Sequence, residues 1–167
     1  MTEIQRLDAS HHTAYLALTQ EVLGCLPNPD WFMPLSDELL KTMFLPESTF
    51  VVHGCFVDGE LAGVSLYDTC YEEIEEVAKA AGAPLTKKGA ELGISMVLPK
   101  FRGQNMMYKL NSSLVEAAKE KGFDYLLATA HPDNLPSNAS IRKLGMEYKK
   151  TIIRQGHYER NVYFMAL

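Results

Sequence analysis

Apolar and polar positions along this chain follow two periods in turn, and their succession predicts an α/β order of elements. Residues 3–7 read as a short first strand. Asp8 or Ser10 then caps a helix carrying Ala14, Leu16, Leu18, Val22 and Leu23, which Gly24 and the turn-forming Pro27-Asn28-Pro29-Asp30 bring to an end. Ser36 caps a second, short helix over 37–44. The clearest hairpin joins 49–57 to 60–67 through Asp58-Gly59, a dipeptide that favours the positive φ of a tight antiparallel turn. Residues 71–81 place carboxylates at Glu72, Glu73, Glu75 and Glu76 and apolar residues at Ile74, Val77, Ala78 and Ala81, which predicts a helix with its acids toward the N-terminal end. Residues 82–89 connect to a strand over 90–98. A helix over 105–121 follows, with the stripe Met107, Leu110, Leu114 and Ala118 and with Gly122 as its stop. A buried strand over 124–130, a short helix over 135–144 and two closing strands over 148–154 and 158–167 complete the order.

Composition narrows the class. The 167 residues, 47% hydrophobic and 22% charged, suit one domain over 1–167 that buries its own core. No apolar run reaches the length of a membrane span, and the first residues lack a signal peptide's apolar stretch, so the expectation is a cytoplasmic protein with no membrane partner. A net charge of −5 without a basic face argues against nucleic acid as a partner. Cys25, Cys55 and Cys70 follow no metal-ligand spacing and sit in or beside apolar segments, where cysteine behaves as a small hydrophobe. His11-His12 is no metal site either, because adjacent helical residues do not share a face. No metal is expected.

The chemistry lies in residues 90–146. Pro99-Lys100-Phe101-Arg102-Gly103-Gln104-Asn105 joins a strand directly to a helix, which aims unpaired backbone N–H groups and the positive end of a helix dipole at one spot. Such a loop binds a phosphate or pyrophosphate through the main chain. Neither GxxxxGK followed by Ser or Thr nor GxGxxG occurs, which sets aside the P-loop and the dinucleotide fingerprint. Residues 97–107 followed by 131–146 instead resemble the GCN5-related N-acetyltransferase (GNAT) superfamily. That family's loop reads Arg/Gln-x-x-Gly-x-Gly/Ala after a proline and an aromatic; Pro99, Phe101, Arg102 and Gly103 stand in place. Its later Asn, Ser or Ala, and Lys-Leu-Gly-Phe pattern is matched by Asn134, Ser137 and Lys143-Leu144-Gly145-Met146. Three positions depart from it. Asn105 stands at the first loop glycine, and of the other residues Asn best tolerates positive φ. Met107 stands at the second small position, where it points into the core or narrows the phosphate approach. Ile141 replaces a Tyr that in many members protonates the departing thiolate.

The resemblance implies a single-domain acyl-CoA N-acyltransferase (GNAT) fold, a mixed, splayed β-sheet flanked by helices. It implies an enzyme that moves an acetyl group directly from acetyl-CoA to a primary amine. In that frame the amides of Arg102, Gly103, Gln104, Asn105, Met106 and Met107 hold the CoA pyrophosphate, Met96, Val97 and Leu98 pair with the pantetheine arm, and the Val97 N–H stabilises the thioester oxyanion. An alkylammonium titrates near ~10.4, so a base helps the amine at neutral pH. The base candidate is Glu91, through a water; its other reading is a solvent-facing residue near a strand end. Asn134 contacts the pantetheine arm or caps the next helix, and Ser137 donates to the thiolate or to a local backbone group. Tyr158 and Tyr163 are further acid candidates, or packing residues. The acceptor is a small-molecule or peptide amine bounded by Trp31-Phe32-Met33, Leu35 and residues 67–71, and these residues do not choose among amines. Exposed edge strands near the C-terminus are compatible with a homodimer. A CoA-binding sensor of the same fold without turnover is the competing reading, favoured by Ile141; an unrelated α/β interaction domain is a third.

Overall fold

A computed structural model describes residues 1–167. The strands are β1 (Thr2–Arg6), β2 (Phe50–Val57), β3 (Glu60–Asp68), β4 (Gly89–Val97), β5 (Tyr125–Ala130), β6 (Glu147–Arg154) and β7 (Tyr158–Ala166). The helices are α1 (His12–Gly24), α2 (Asp37–Thr42), α3 (Tyr71–Ala81), α4 (Met106–Glu120) and α5 (Leu135–Lys143). Every expected element is present within a residue or two of its expected end, the largest difference being that 37–44 is helical only to Thr42. Asp8 caps a 3-10 turn over Ala9–His11 that leads into α1, accepting from the Ser10 amide, while α1 itself starts after His11 with no side-chain cap from Asp8 or Ser10. Both central residues of the β2–β3 turn, Asp58 and Gly59, have positive φ (48° and 86°), as that dipeptide requires.

All strands form one seven-stranded sheet in the order β1-β2-β3-β4-β5-β7-β6. Only β4 and β5 run parallel; the other neighbours are antiparallel. Alternation along each strand sends successive side chains to opposite faces. Val52, Val64 and Leu66 therefore pack with Tyr15, Leu18 and Val22 of α1, and Tyr125, Leu127 and Val162 pack with Val77 and Ala78 of α3. On the other face Tyr67, Leu92, Leu126 and Ala128 meet Leu114 and Ala118 of α4 and Ile141 of α5. Each such Leu contributes roughly 1.5–3 kcal/mol by leaving water.

The feature that builds the site is a split between the two parallel strands. β4 and β5 pair only from Gly89 with Tyr125 to Leu92 with Ala128, after which they diverge. Gly89 is needed at the closed end, because a Cβ there would lie 2.2 Å from the Tyr125 ring. At the opening, the β3–β4 register shifts and Ile94 takes φ +38°, a bulge that bends β4 away. A polar trio, with Ser65 and Asn111 buried and Ser95 half-buried, braces the bend: the Ser65 hydroxyl donates to Asn111 Oδ1 at 2.5 Å, and Ser95 Oγ lies 2.7 Å from Ser65 Oγ. No helix is long and apolar enough to cross a membrane.

Candidate active site

The loop after β4 makes one 3-10 turn over Pro99–Phe101, closed by the Phe101 amide on Leu98 O and the Arg102 amide on Pro99 O (3.2 Å). Gly103 then takes φ +79° and Asn105 φ +56°, ψ 22°, so the chain alternates hand twice before α4 begins. The first helical bond is Lys109 N–H to Asn105 O at 3.0 Å. The amides of Gly103, Gln104, Asn105, Met106, Met107 and Tyr108 consequently donate to no carbonyl or side chain. They form a concave nest of donors at the positive end of a helix dipole. Arg102 differs from expectation: its own amide is consumed by the turn, and its Nε donates to Val97 O at 3.2 Å. Tyr108 supplies an amide that sequence reasoning missed. Lys143 was also missed: its ammonium donates to Asn105 Oδ1 at 3.0 Å and sits 4.6 Å over the Tyr108 ring, adding a cation beside the nest.

Two cavities meet in the β4–β5 split. A groove of about 690 Å³ runs from the nest past Met96 and Val97 and is bounded by Asn105, Met107 and Lys143. A recess of about 200 Å³ lies on the other side, between the Trp31–Leu35 loop, β4, the end of β5 and the β6–β7 turn. Trp31, Ser95, Asn134 and Ser137 line both. Strand alternation explains why the groove wall can bind. The Leu98 amide donates to Ala62 O, so the opposed pair Gly63 and Val97 turns its main-chain groups outward. Val97 faces the split, where β5 no longer reaches it.

Glu91 lies in the recess, 7% exposed, and not on the solvent face. Arg154 Nη1 donates to its Oε1 at 2.7 Å and Thr129 Oγ1 donates to the same oxygen at 3.2 Å. Oε2 accepts no hydrogen bond and is not sealed off. Burial pushes this carboxyl above its ordinary value, with Arg154 and Thr129 pulling it back and Asp68 adding to the rise.

The other expected residues separate clearly. Asn134 caps α5, accepting the Ser137 amide at 3.2 Å on Oδ1, and also borders both cavities. Ser137 Oγ makes no hydrogen bond and is open to the junction, so no local backbone group occupies it. Leu98 leaves the groove: it is packed in the α1-side core and its amide is spent on β3. Gln104 is exposed and offers only its amide. Met106 is buried beside Cys55 and Leu110 and Met107 packs against that cluster, and both border the groove. Tyr158 lies outside both cavities, its ring 3.9 Å from His157 and 5.2 Å from the Arg160 guanidinium. Tyr163 is a buried strut that donates to Asn138 Oδ1 at 2.6 Å. Arg154, Arg160 and Ser95 enter the site unannounced, since a lone Arg or Ser in a strand carries no motif.

A splayed mixed sheet, an amide nest opening a helix, and a carboxylate recess meeting the nest's groove define an acyltransferase fold. The model of the acetyltransferase (GNAT) family matches residues 12–146, and the chain belongs to that family. Among solved structures, it shares its fold with the ribosomal-protein-alanine N-acetyltransferase from Brucella melitensis (21% identity, TM-score 0.72, covering 99% of each chain). A probable acetyltransferase from Staphylococcus epidermidis ATCC 12228 is similar over 99% of each chain, with 17% identity and a TM-score of 0.74. The ribosomal L7/L12 alpha-N-protein acetyltransferase in complex with coenzyme A is similar at 19% identity and TM-score 0.70, over 99% of this chain and 94% of that one. No curated protein matches the chain by sequence.

Proposed function

We propose that this protein transfers an acetyl group from acetyl-CoA to a primary amine, the two substrates entering the split from opposite sides. The observation that carries the reading is the meeting of the two cavities at Ser95, Asn134 and Ser137, one side offering donors for a diphosphate and the other a carboxylate for an ammonium. When bound, acetyl-CoA supplies an acetyl thioester. The Gly103–Tyr108 amides and Lys143 hold its diphosphate, with no dedicated anion-binding side chain in the loop itself. The outward main-chain groups of β4 take the place of a neighbouring strand for the amide-bearing arm. Val97 borders the groove alone, whereas Ser95 borders both cavities, so the Ser95 N–H is the better placed donor to a carbonyl oxygen at the junction. Glu91 Oε2 takes the proton that an ammonium must lose before its nitrogen can attack, directly or through one water. After attack, the free Ser137 hydroxyl takes the proton that the new amide nitrogen sheds as it gives its own to the departing sulfur, so the serine ends as it began.

The test is release of free thiol from acetyl-CoA across a panel of amines. Glu91→Gln is expected to lower kcat about 100-fold or more, the ordinary scale of a lost general base. Ile141, buried in the recess wall with no hydroxyl, favours a second reading in which coenzyme is bound and sensed. Tight CoA binding with no amine-dependent thiol release would decide for that reading.

A further inference from the structure

The recess holds two arginines but only one of them is neutralised. Arg154 is paired with Glu91 at 2.7 Å. Arg160, on β7, is 2% exposed and has no carboxylate within ion-pair distance. Its Nη1 donates to Glu159 O and its Nη2 to Asp30 O, each at 2.7 Å, and its guanidinium lies 5.2 Å from the Tyr158 ring centre. Nε makes no hydrogen bond and is not fully buried, and the residue borders the recess. Asp30 and Glu91 attract it only from beyond ion-pair distance, and burial outweighs them, because two neutral carbonyls do not replace the lost hydration of a full charge. The other carboxylates of the recess do not reach it. Asp68 accepts the Cys70 amide, and Glu73 lends only its main-chain carbonyl, to Arg154.

Resting on the transferase reading above, we infer that the acceptor is a primary amine carrying a carboxylate, and that Arg160 is the residue that reads that carboxylate. The amine points to the junction and to Glu91 Oε2, while the anionic end lies along the open Nε edge of Arg160. A guanidinium edge presents parallel N–H donors that match a carboxylate's two oxygens. The recess volume of about 200 Å³ suits an acceptor of amino-acid size or the first residue of a peptide. Arg160 also holds the loop that forms the opposite wall, through Asp30 O next to Trp31, so carboxylate recognition and wall position are set by one side chain.

The test offers acetyl-CoA with matched acceptors: free amino acids against their carboxamides, and short peptides with or without an acidic side chain near the N-terminus. Thiol release gives kcat/KM for each. The free acid of a pair is expected to exceed its amide by about tenfold or more, the worth of one charge-assisted hydrogen bond, and the series that shows it identifies the source of the carboxylate. Arg160→Gln is expected to bring the acid-to-amide ratio close to one through KM, with Arg160→Lys retaining part of the preference. Equal rates for acid and amide in the wild-type protein overturn the inference, and that arm needs no variant to fold. A ratio unchanged in Arg160→Gln, with both members of each pair lowered alike, also overturns it and leaves Arg160 as a strut. Absence of thiol release with every amine, alongside CoA binding by calorimetry, overturns the transferase reading itself and this inference with it.

Discussion

Replacing Gly103 by alanine isolates the main-chain character of the proposed coenzyme site. Gly103 holds φ +79°, and a Cβ built there meets no atom within 4 Å, so the substitution adds backbone strain and no collision. An L-residue in that region loses about 1–2 kcal/mol relative to its preferred conformations. If the strain is relieved by leaving the nest conformation, the competent population falls and the apparent Kd for CoA rises by roughly 5–30-fold, one decade per 1.4 kcal/mol. Proline at this position is a poorer probe, because it forces φ near −65° as well as removing the N–H, and the two effects cannot be separated. The control is Arg102→Ala. That side chain is exposed, its amide is already spent on Pro99 O, and it loses the Nε bond to Val97 O and one cation at the groove, so with that charge screened at high ionic strength a change of about threefold or less is expected. Isothermal titration of CoA into both variants, with thermal melts to confirm folding, reads the comparison. A larger loss in Arg102→Ala than in Gly103→Ala refutes the amide nest as the main grip.

Three further outcomes follow from the geometry. Lys143→Met removes the cation beside the nest, and CoA should bind about threefold to tenfold more weakly at low salt, with the deficit shrinking as ionic strength rises; a salt-independent deficit would point to lost packing on Tyr108 instead. Because burial raises the Glu91 carboxyl, the native state keeps its proton to higher pH than the unfolded chain; that group favours folding at low pH, and the contribution is lost as pH rises through the native value. Activity should run the other way, since Glu91, as the proposed proton acceptor, would work deprotonated. Arg154→Gln leaves only the Thr129 hydrogen bond to oppose burial and should move the acid limb of kcat/KM to higher pH; a limb that stays or moves down contradicts the proposed role. Asn138 is 3% exposed, and its amide joins Tyr163 and Asn161 to the carbonyls of His131 and Asn134. Asn138→Ala strands those groups and should cost about 2–4 kcal/mol in urea unfolding, with less than about 1 kcal/mol arguing that water replaces the side chain.

The local part of this protein was legible in its letters because local physics decides it. Asp58-Gly59 dictates a positive-φ turn, the Met107, Leu110, Leu114 and Ala118 stripe dictates one buried helix face, and Pro99 with Gly103 dictates a loop whose amides cannot all be satisfied internally. These features determine the element order, the family likeness and the neighbourhood of the proposed diphosphate site. Arg102 shows the limit even there: a turn of normal geometry decided whether its amide was free. What only the tertiary structure decided depends on residues far apart in sequence. β7 enters between β5 and β6, the pairing of β4 with β5 stops at Leu92, and the divergence that follows brings Trp31, Ser95, Asn134 and Ser137 to one point. The ion pair of Glu91 with Arg154 spans 63 residues, and the hold of Arg160 on Asp30 spans 130. No periodicity or spacing encodes such contacts, because they arise when separately stable elements pack and the charges they carry must find partners or remain without them.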